Sequence, residues 1–237
     1  MLYLIADIKT KVPATGGLDL LCQGYKIDGN DDEAEIVIDE SKYNYDYWKN
    51  LDSSCDDNLA AYMESGFQFY VQLLNYDGLM LHASATVIDG EVYLFAGQSG
   101  IGKSTHANLL LKLFPNAQLI NDDKPALRCV DGKWFAYGTP WSGKNYININ
   151  SKFPIKAICL LSTNRDKNDI RLAQPLTAIS GLIACSAGRA TKERVLKLTS
   201  LIDRLIKDVP VYEMDSLADD NAAILAYNVM SGGRNEN

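Results

Sequence analysis

The chain has no C-x-x-C pair, no long basic run, no internal repeat and no low-complexity segment. Each absence excludes something. Its five cysteines (Cys22, Cys55, Cys129, Cys159 and Cys185) are scattered and odd in number. A disulfide framework is therefore not expected, and reduced thiols in a cytoplasmic protein are. Net charge is −7, from 23 basic and 30 acidic residues. That balance argues against nucleic acid as the main partner but leaves room for a local basic pocket that holds phosphate. The longest apolar helical stretch, 176–187, is interrupted by Thr177, Ser180, Gly181 and Ser186 and is too short to cross a bilayer, so no membrane is expected as partner. The opening residues, MLYLIADIKTKV, lack the charged region and apolar length of a signal peptide.

What is present is an ordinary globular composition, 47% hydrophobic and 22% charged over 237 residues. That length allows one domain, or one with a small appendage. The natural division is an N-terminal strand and helix segment, 1–77, ahead of a core, 78–237, the two being compatible with one continuous domain. Residues 2–8 and 35–39 read as strands, and 43–57 as a polar, aromatic surface loop. Residues 59–74 read as a helix with Ala60, Met63, Phe67, Tyr70, Val71 and Leu74 on its core side. Residues 79–88 and 91–96 flank Asp89-Gly90, and 126–130 and 133–137 flank Asp131-Gly132; both dipeptides signal hairpins. Strands are expected at 117–120 and 155–161, an edge strand at 211–214, helices at 175–187, 192–207 and 219–230, and a frayed tail from Ser231.

The densest signal is Gly97-Gln98-Ser99-Gly100-Ile101-Gly102-Lys103-Ser104-Thr105, which fits G-x-x-x-x-G-K-[ST], the Walker A phosphate loop. An apolar strand precedes it and a helix with Leu109, Leu110 and Leu113 on one face follows, as the motif requires. Glycines let successive backbone N–H groups converge on one anion, and the helix N-terminus adds its positive dipole end. Lys103 is placed to reach the outer phosphates of a nucleotide, and the Ser104 hydroxyl to ligate Mg²⁺. Asp122 and Asp123 end the next strand. Carboxylates there suit phosphoryl transfer, one near the metal and one accepting a proton from an attacking hydroxyl. His82 lies on the hairpin strand beside the loop, equally consistent with a site role and a packing role. His106, on the loop helix, reads as solvated or structural. In 138–144 two glycines and a proline make a tight loop, where Trp141 can wall a pocket and Lys144 can neutralise phosphate. Arg165 follows a strand and can reach the same edge.

Leu81-His82-Ala83-Ser84-Ala85, the hairpin, the glycine loop and Asn121-Asp122-Asp123 together resemble HPr kinase/phosphorylase and its smaller serine and peptide kinase relatives. The resemblance covers roughly 78–165. It implies an α/β fold with a mixed sheet, of the phosphoenolpyruvate-carboxykinase P-loop type, with antiparallel hairpins around the phosphate loop. It further implies that 97–105 hold ATP, that His82 belongs to the site, and that Asp122 and Asp123 form the catalytic and metal-associated pair. Thr105 stands where HPr kinases commonly carry an acidic residue. The family's glycine-rich phosphorylase signature is absent downstream, which sets the chain nearer the smaller relatives. The expectation is an ATP-dependent, Mg²⁺-requiring kinase acting on a serine-type hydroxyl of a protein or peptide. Lys103 and Ser104 would serve the phosphates and the metal, Asp122 would be the base, Asp123 would sit near the metal, and Lys144 and Arg165 would contact the acceptor. A kinase for a small serine-like metabolite, a nucleotide-binding regulator without turnover, and a homo-oligomer stay open.

Overall fold

The computed structural model describes residues 1–143, 145–164, 166–186 and 191–232. The chain opens with β1 (Leu2–Ile5), β2 (Ile8–Lys11), α1 (Leu18–Leu21), β3 (Ile36–Val37), α2 (Tyr45–Leu51) and α3 (Asp57–Leu73). Next come β4 (Gly78–Met80), β5 (Ala83–Ile88), β6 (Glu91–Ala96), α4 (Lys103–Leu113), β7 (Gln118–Asn121), β8 (Ala126–Val130) and β9 (Lys133–Tyr137). The last elements are β10 (Lys152–Leu161), β11 (Asp169–Leu172), α5 (Pro175–Ser186), α6 (Lys192–Asp208), β12 (Val211–Asp215) and α7 (Asp220–Met230). The result is a mixed α/β protein. No described helix is long and apolar enough to cross a membrane.

A nine-stranded mixed sheet runs β4-β8-β9-β10-β6-β5-β7, with β12 on the other flank of β10 and β11 beyond it. The hairpins expected at Asp89-Gly90 and Asp131-Gly132 are both formed, with Asp89 at φ 52° and Asp131 at φ 50°. Positive φ in both turn residues matches the right-handed twist of the flanking strands. Strand β6 is buried on both faces. Val92 and Leu94 meet Leu182, Leu201 and Leu205 from α5 and α6, while Tyr93 and Phe95 meet Leu110 of α4 and Ala223 and Ala226 of α7. Cover on both faces is why β6 reads as a continuous apolar run rather than an alternation. A third core joins β1, β2 and α3, through Ile5, Ile8, Phe69 and Leu73, to Tyr137 and Trp141.

Several expectations are corrected. Residues 2–8 are not one strand. The chain folds back at Ala6-Asp7, both with positive φ, and β1 pairs with β2. Alanine rarely adopts that conformation, so the turn carries no glycine signal. Part of the supposed loop 43–57 is α2, capped by Asn44 and tied down where Trp48 Nε1 donates to buried Glu64 of α3 at 2.7 Å. Residues 79–88 break at Leu81-His82, so that β4 pairs with β8 while β5 pairs with β6 and β7. Strand 211–214 is not at an edge, since β12 lies between β10 and the short β11. On α3, Ala60 and Tyr70 are in the core as expected. Met63, Phe67, Val71 and Leu74 are only partly buried, and the core is entered by Tyr62, Phe69 and Leu73 instead. Ala187 and the tail from 233 lie outside the described residues.

Candidate active site

Strand β5 is antiparallel to both neighbours, with Ala83 opposite Ala96 of β6 and Ala85 opposite Asn121 of β7. The end of β6, the start of β5 and the end of β7 therefore share one edge of the sheet. Two strand spacings, about 10 Å, separate the outer pair. Backbone hydrogen bonds tie the three together. Gly97 N–H donates to the His82 carbonyl at 3.4 Å, and Ala83 N–H donates to the Asp123 carbonyl at 3.1 Å. The glycine loop, His82 and the aspartate pair are thus brought together by pairing alone.

The loop joins β6 to α4, and Gly102 at φ 114° turns the chain into the helix, a conformation only glycine takes readily. Helices α2, α3, α6 and α7 each begin on a side-chain cap from Asn44, Asp56, Thr191 and Asp219, whereas α4 begins without one. First-turn N–H groups without a side-chain acceptor suit an anion. Lys103 is buried and its Nζ donates to the carbonyls of Gly97 at 3.1 Å and Gln98 at 3.0 Å. Burial pushes its ammonium down, and Asp123, Cys185 and Asp122 pull the other way. Ser99, Gly100 and Thr105 are exposed, while Ile101, Gly102 and Ser104 are half-buried.

The aspartate turn is built by buried Asn121. Its amide nitrogen donates to the Thr139 carbonyl and hydroxyl, each at 3.1 Å, and its side-chain oxygen accepts from the N–H groups of Asp123 at 3.0 Å and Lys124 at 2.8 Å. Asp122 Oδ1 accepts from the Ser84 hydroxyl at 2.8 Å. Asp123 Oδ1 faces His82 Nε2 at 2.9 Å, and its Oδ2 is paired with the Lys124 ammonium. Burial alone would push the Asp123 carboxyl up. The His82 hydrogen bond and the Lys124 charge outweigh it and hold the group well below the usual carboxylate range. Gly143 packs on this carboxyl, since a Cβ there would meet the Asp123 Cβ at 2.9 Å, and its N–H donates to the Tyr62 hydroxyl at 3.1 Å.

Other sequence candidates fall elsewhere. His106 is not solvated; it is buried, with Nδ1 3.0 Å from the Gly102 carbonyl and Nε2 2.8 Å from the Ser216 hydroxyl. Trp141 is buried, stacked 4.8 Å from Phe69 and donating to the Ser65 hydroxyl at 3.0 Å. It lines an apolar groove to which no phosphate-loop residue contributes. Lys144 and Arg165 lie outside the described residues. Lys124 and Tyr62 were not singled out from sequence, while Ser84 and Gly143 appeared there only within the 81–85 motif and the 138–144 loop, with no role of their own. Ser84 had a signal, two positions along a strand from His82, and so did Lys124, adjacent to the pair.

Among the described residues no group of three or more His, Cys, Asp or Glu side chains forms a metal cage. A phosphate-bound Mg²⁺ does not need one, because it takes one or two protein oxygens and completes its shell with phosphate and water. The Ser104 hydroxyl and the paired carboxylates fit that donor set, each carboxylate retaining lone pairs beyond its present partners.

No family model and no curated protein matches the chain. Among solved structures it is similar to the HPr(Ser) kinase/phosphatase from Coxiella burnetii, at 13% identity and a TM-score of 0.38, covering 63% of this chain and 93% of that one. At that identity and score neither fold type nor activity carries across.

Proposed function

We propose that the chain is an ATP-dependent, Mg²⁺-requiring phosphotransferase, HPr kinase-like with a P-loop fold of the phosphoenolpyruvate-carboxykinase type, acting on a serine-type hydroxyl of a protein or peptide. The observation that carries the reading is the convergence of the glycine loop, His82 and the Asp122–Asp123 turn on one sheet edge through β6-β5-β7 pairing. A chance glycine turn has no reason to share a sheet edge with two carboxylates.

In this reading the α4 N-terminus and Lys103 bind the phosphates, Lys103 exchanging its loop carbonyls for phosphate oxygens. Mg²⁺, held by Ser104 with Asp123 nearby, would offset phosphate charge. The acceptor hydroxyl gives its proton to Asp122, whose other oxygen partner, Ser84, orients the carboxylate. The phosphoryl group passes to the hydroxyl oxygen, and ADP leaves. Asp123 is a poor proton acceptor, because His82 and Lys124 stabilise its charged form.

The test is nucleotide-dependent melting followed by phosphotransfer. Millimolar Mg·ATP or Mg·ADP raises the melting temperature, because a ligand that binds only the folded state stabilises it. Lys103→Ala removes most of that shift. A wild-type protein with no shift defeats the reading. Labelled ATP incubated with peptide and metabolite pools then separates a peptide kinase from a metabolite kinase.

A further inference from the structure

Helix α3 is apolar on two faces. One carries Phe69, Tyr70 and Leu73 into the core. The other carries Met63, Phe67 and Val71, with Leu74 just past the helix end, all partly buried, along one wall of a groove. An ordinary surface helix needs one such stripe. Ile183 of α5 and Val195 and Leu198 of α6 form the facing wall, and Lys124 and Trp141 also line the groove. Its volume is about 240 Å³. Pockets that enclose whole drug-sized ligands run from roughly 300 to 1,000 Å³. This one suits large apolar side chains rather than a nucleotide.

Three features identify the occupant. Continuity is the first, since Lys124 and Tyr62 line the groove and also belong to the Asp123 turn, Lys124 as ion partner and Tyr62 through Gly143. Charge is the second. The charged lining residues are Arg194 and Lys124, the latter already paired with Asp123, with no carboxylate among the described lining residues of a chain whose net charge is −7. Third, the Ser186 hydroxyl lines the groove, is buried and has no hydrogen-bond partner among the described residues. A buried hydroxyl left unpaired is costly. A peptide backbone supplies a partner for it, and a hydrocarbon chain does not.

We propose that the groove between α3 and α5–α6 docks the phosphoryl acceptor, a peptide segment that inserts a large apolar side chain there, carries acidic residues beside it, and so presents its serine at Asp122. The proposal rests on the phosphotransfer reading only in naming that peptide the acceptor.

The experiment uses the full chain and an oriented peptide library with a fixed central serine and all other positions degenerate. It has two readouts: capture of peptides on immobilised protein without nucleotide, and phosphate transfer from labelled Mg·ATP. The wild type is expected to enrich Leu, Ile, Phe or Met at one fixed offset from serine, with Asp or Glu nearby. Val195→Asp, at a position 42% exposed, is expected to weaken capture of an enriched peptide about tenfold or more, the loss of one buried apolar side chain. Leu196→Asp, at a neighbouring exposed position outside the groove, is expected to leave capture unchanged. Equal melting temperatures and equal nucleotide-induced shifts in both variants exclude misfolding as the cause.

Capture with apolar and acidic selection that Val195→Asp abolishes, but no transfer to any peptide, keeps the docking groove and defeats the kinase reading. Transfer without apolar selection, and indifferent to Val195→Asp, keeps the kinase and overturns the groove. Absence of both capture and transfer overturns the groove as well. So does displacement of the wild type's intrinsic tryptophan signal by laurate without any peptide selection, which would make the groove an acyl site.

Discussion

His82 Nε2 stands 2.9 Å from Asp123 Oδ1, while the other oxygen of that carboxylate is held by Lys124. Lys124 is the next residue in the chain, and His82 reaches Asp123 because the break at Leu81-His82 ends β4 and restarts the chain as β5 between the loop strand and the aspartate strand. Asp123 is thereby kept charged despite its burial, a fixed anion for a cation to approach; in the proposed mechanism proton transfer falls to Asp122.

The two aspartates should separate in kinetics. Asp122→Asn is expected to lower kcat by about a hundredfold or more with little change in nucleotide affinity, as for loss of a general base. Asp123→Asn is expected instead to raise the Mg²⁺ concentration needed for half-maximal rate. Steady-state kinetics across a Mg²⁺ titration checks both. Equal loss of nucleotide affinity in the two variants would reduce the pair to a metal site.

His82→Ala should move the pH profile. The His82 hydrogen bond lowers the Asp123 pKa, so its removal raises it. The acid limb of the Mg²⁺ dependence, which rests on a charged Asp123 in the proposed mechanism, is expected to shift to higher pH, with KM for ATP nearly unchanged. An unshifted limb with a uniformly lower rate would assign His82 to packing only.

Acid stability follows from the same pair. The folded-state pKa of Asp123 lies below its unfolded value of about 3.9. Its contribution is therefore complete above that unfolded value and is lost as pH falls through the folded one. Urea unfolding should show the stability gap between wild type and Asp123→Asn constant from pH 7 to about 5, shrinking below about pH 4. A gap that widens toward acid would contradict the assignment.

Gly66→Ala decides between two opposed terms. In a helix interior alanine is ordinarily favoured over glycine by roughly 1 kcal/mol. Here a Cβ would lie 2.8 Å from Cδ1 of Trp141, a ring that is 1% exposed and stacked on Phe69. Overpacking a filled core costs about 1–3 kcal/mol. The expected result is a lower melting temperature, read by calorimetry. A higher one would mean that Trp141 has room to move.

Much of this protein was legible locally. The glycine loop, the two Asp-Gly hairpins, the helical periods of α3, α4, α6 and α7 and the strand that ends in Asn121-Asp122-Asp123 each depend on neighbours a few residues apart. Backbone sterics and side-chain period act at that range. Turns without a glycine signal, as at Ala6-Asp7, and the four-residue strand β11 escaped, because their conformations are stabilised by partners rather than by their own residues.

Tertiary structure decided the rest. It split 79–88 at His82 and placed β5 between β6 and β7. It brought His82 to Asp123 and turned the predicted core stripe of α3 into a groove wall. Those outcomes depend on which strand pairs with which and on which helix face meets a neighbour. Long-range pairing is selected by the burial and hydrogen bonding of the whole chain, so no local pattern encodes it by itself.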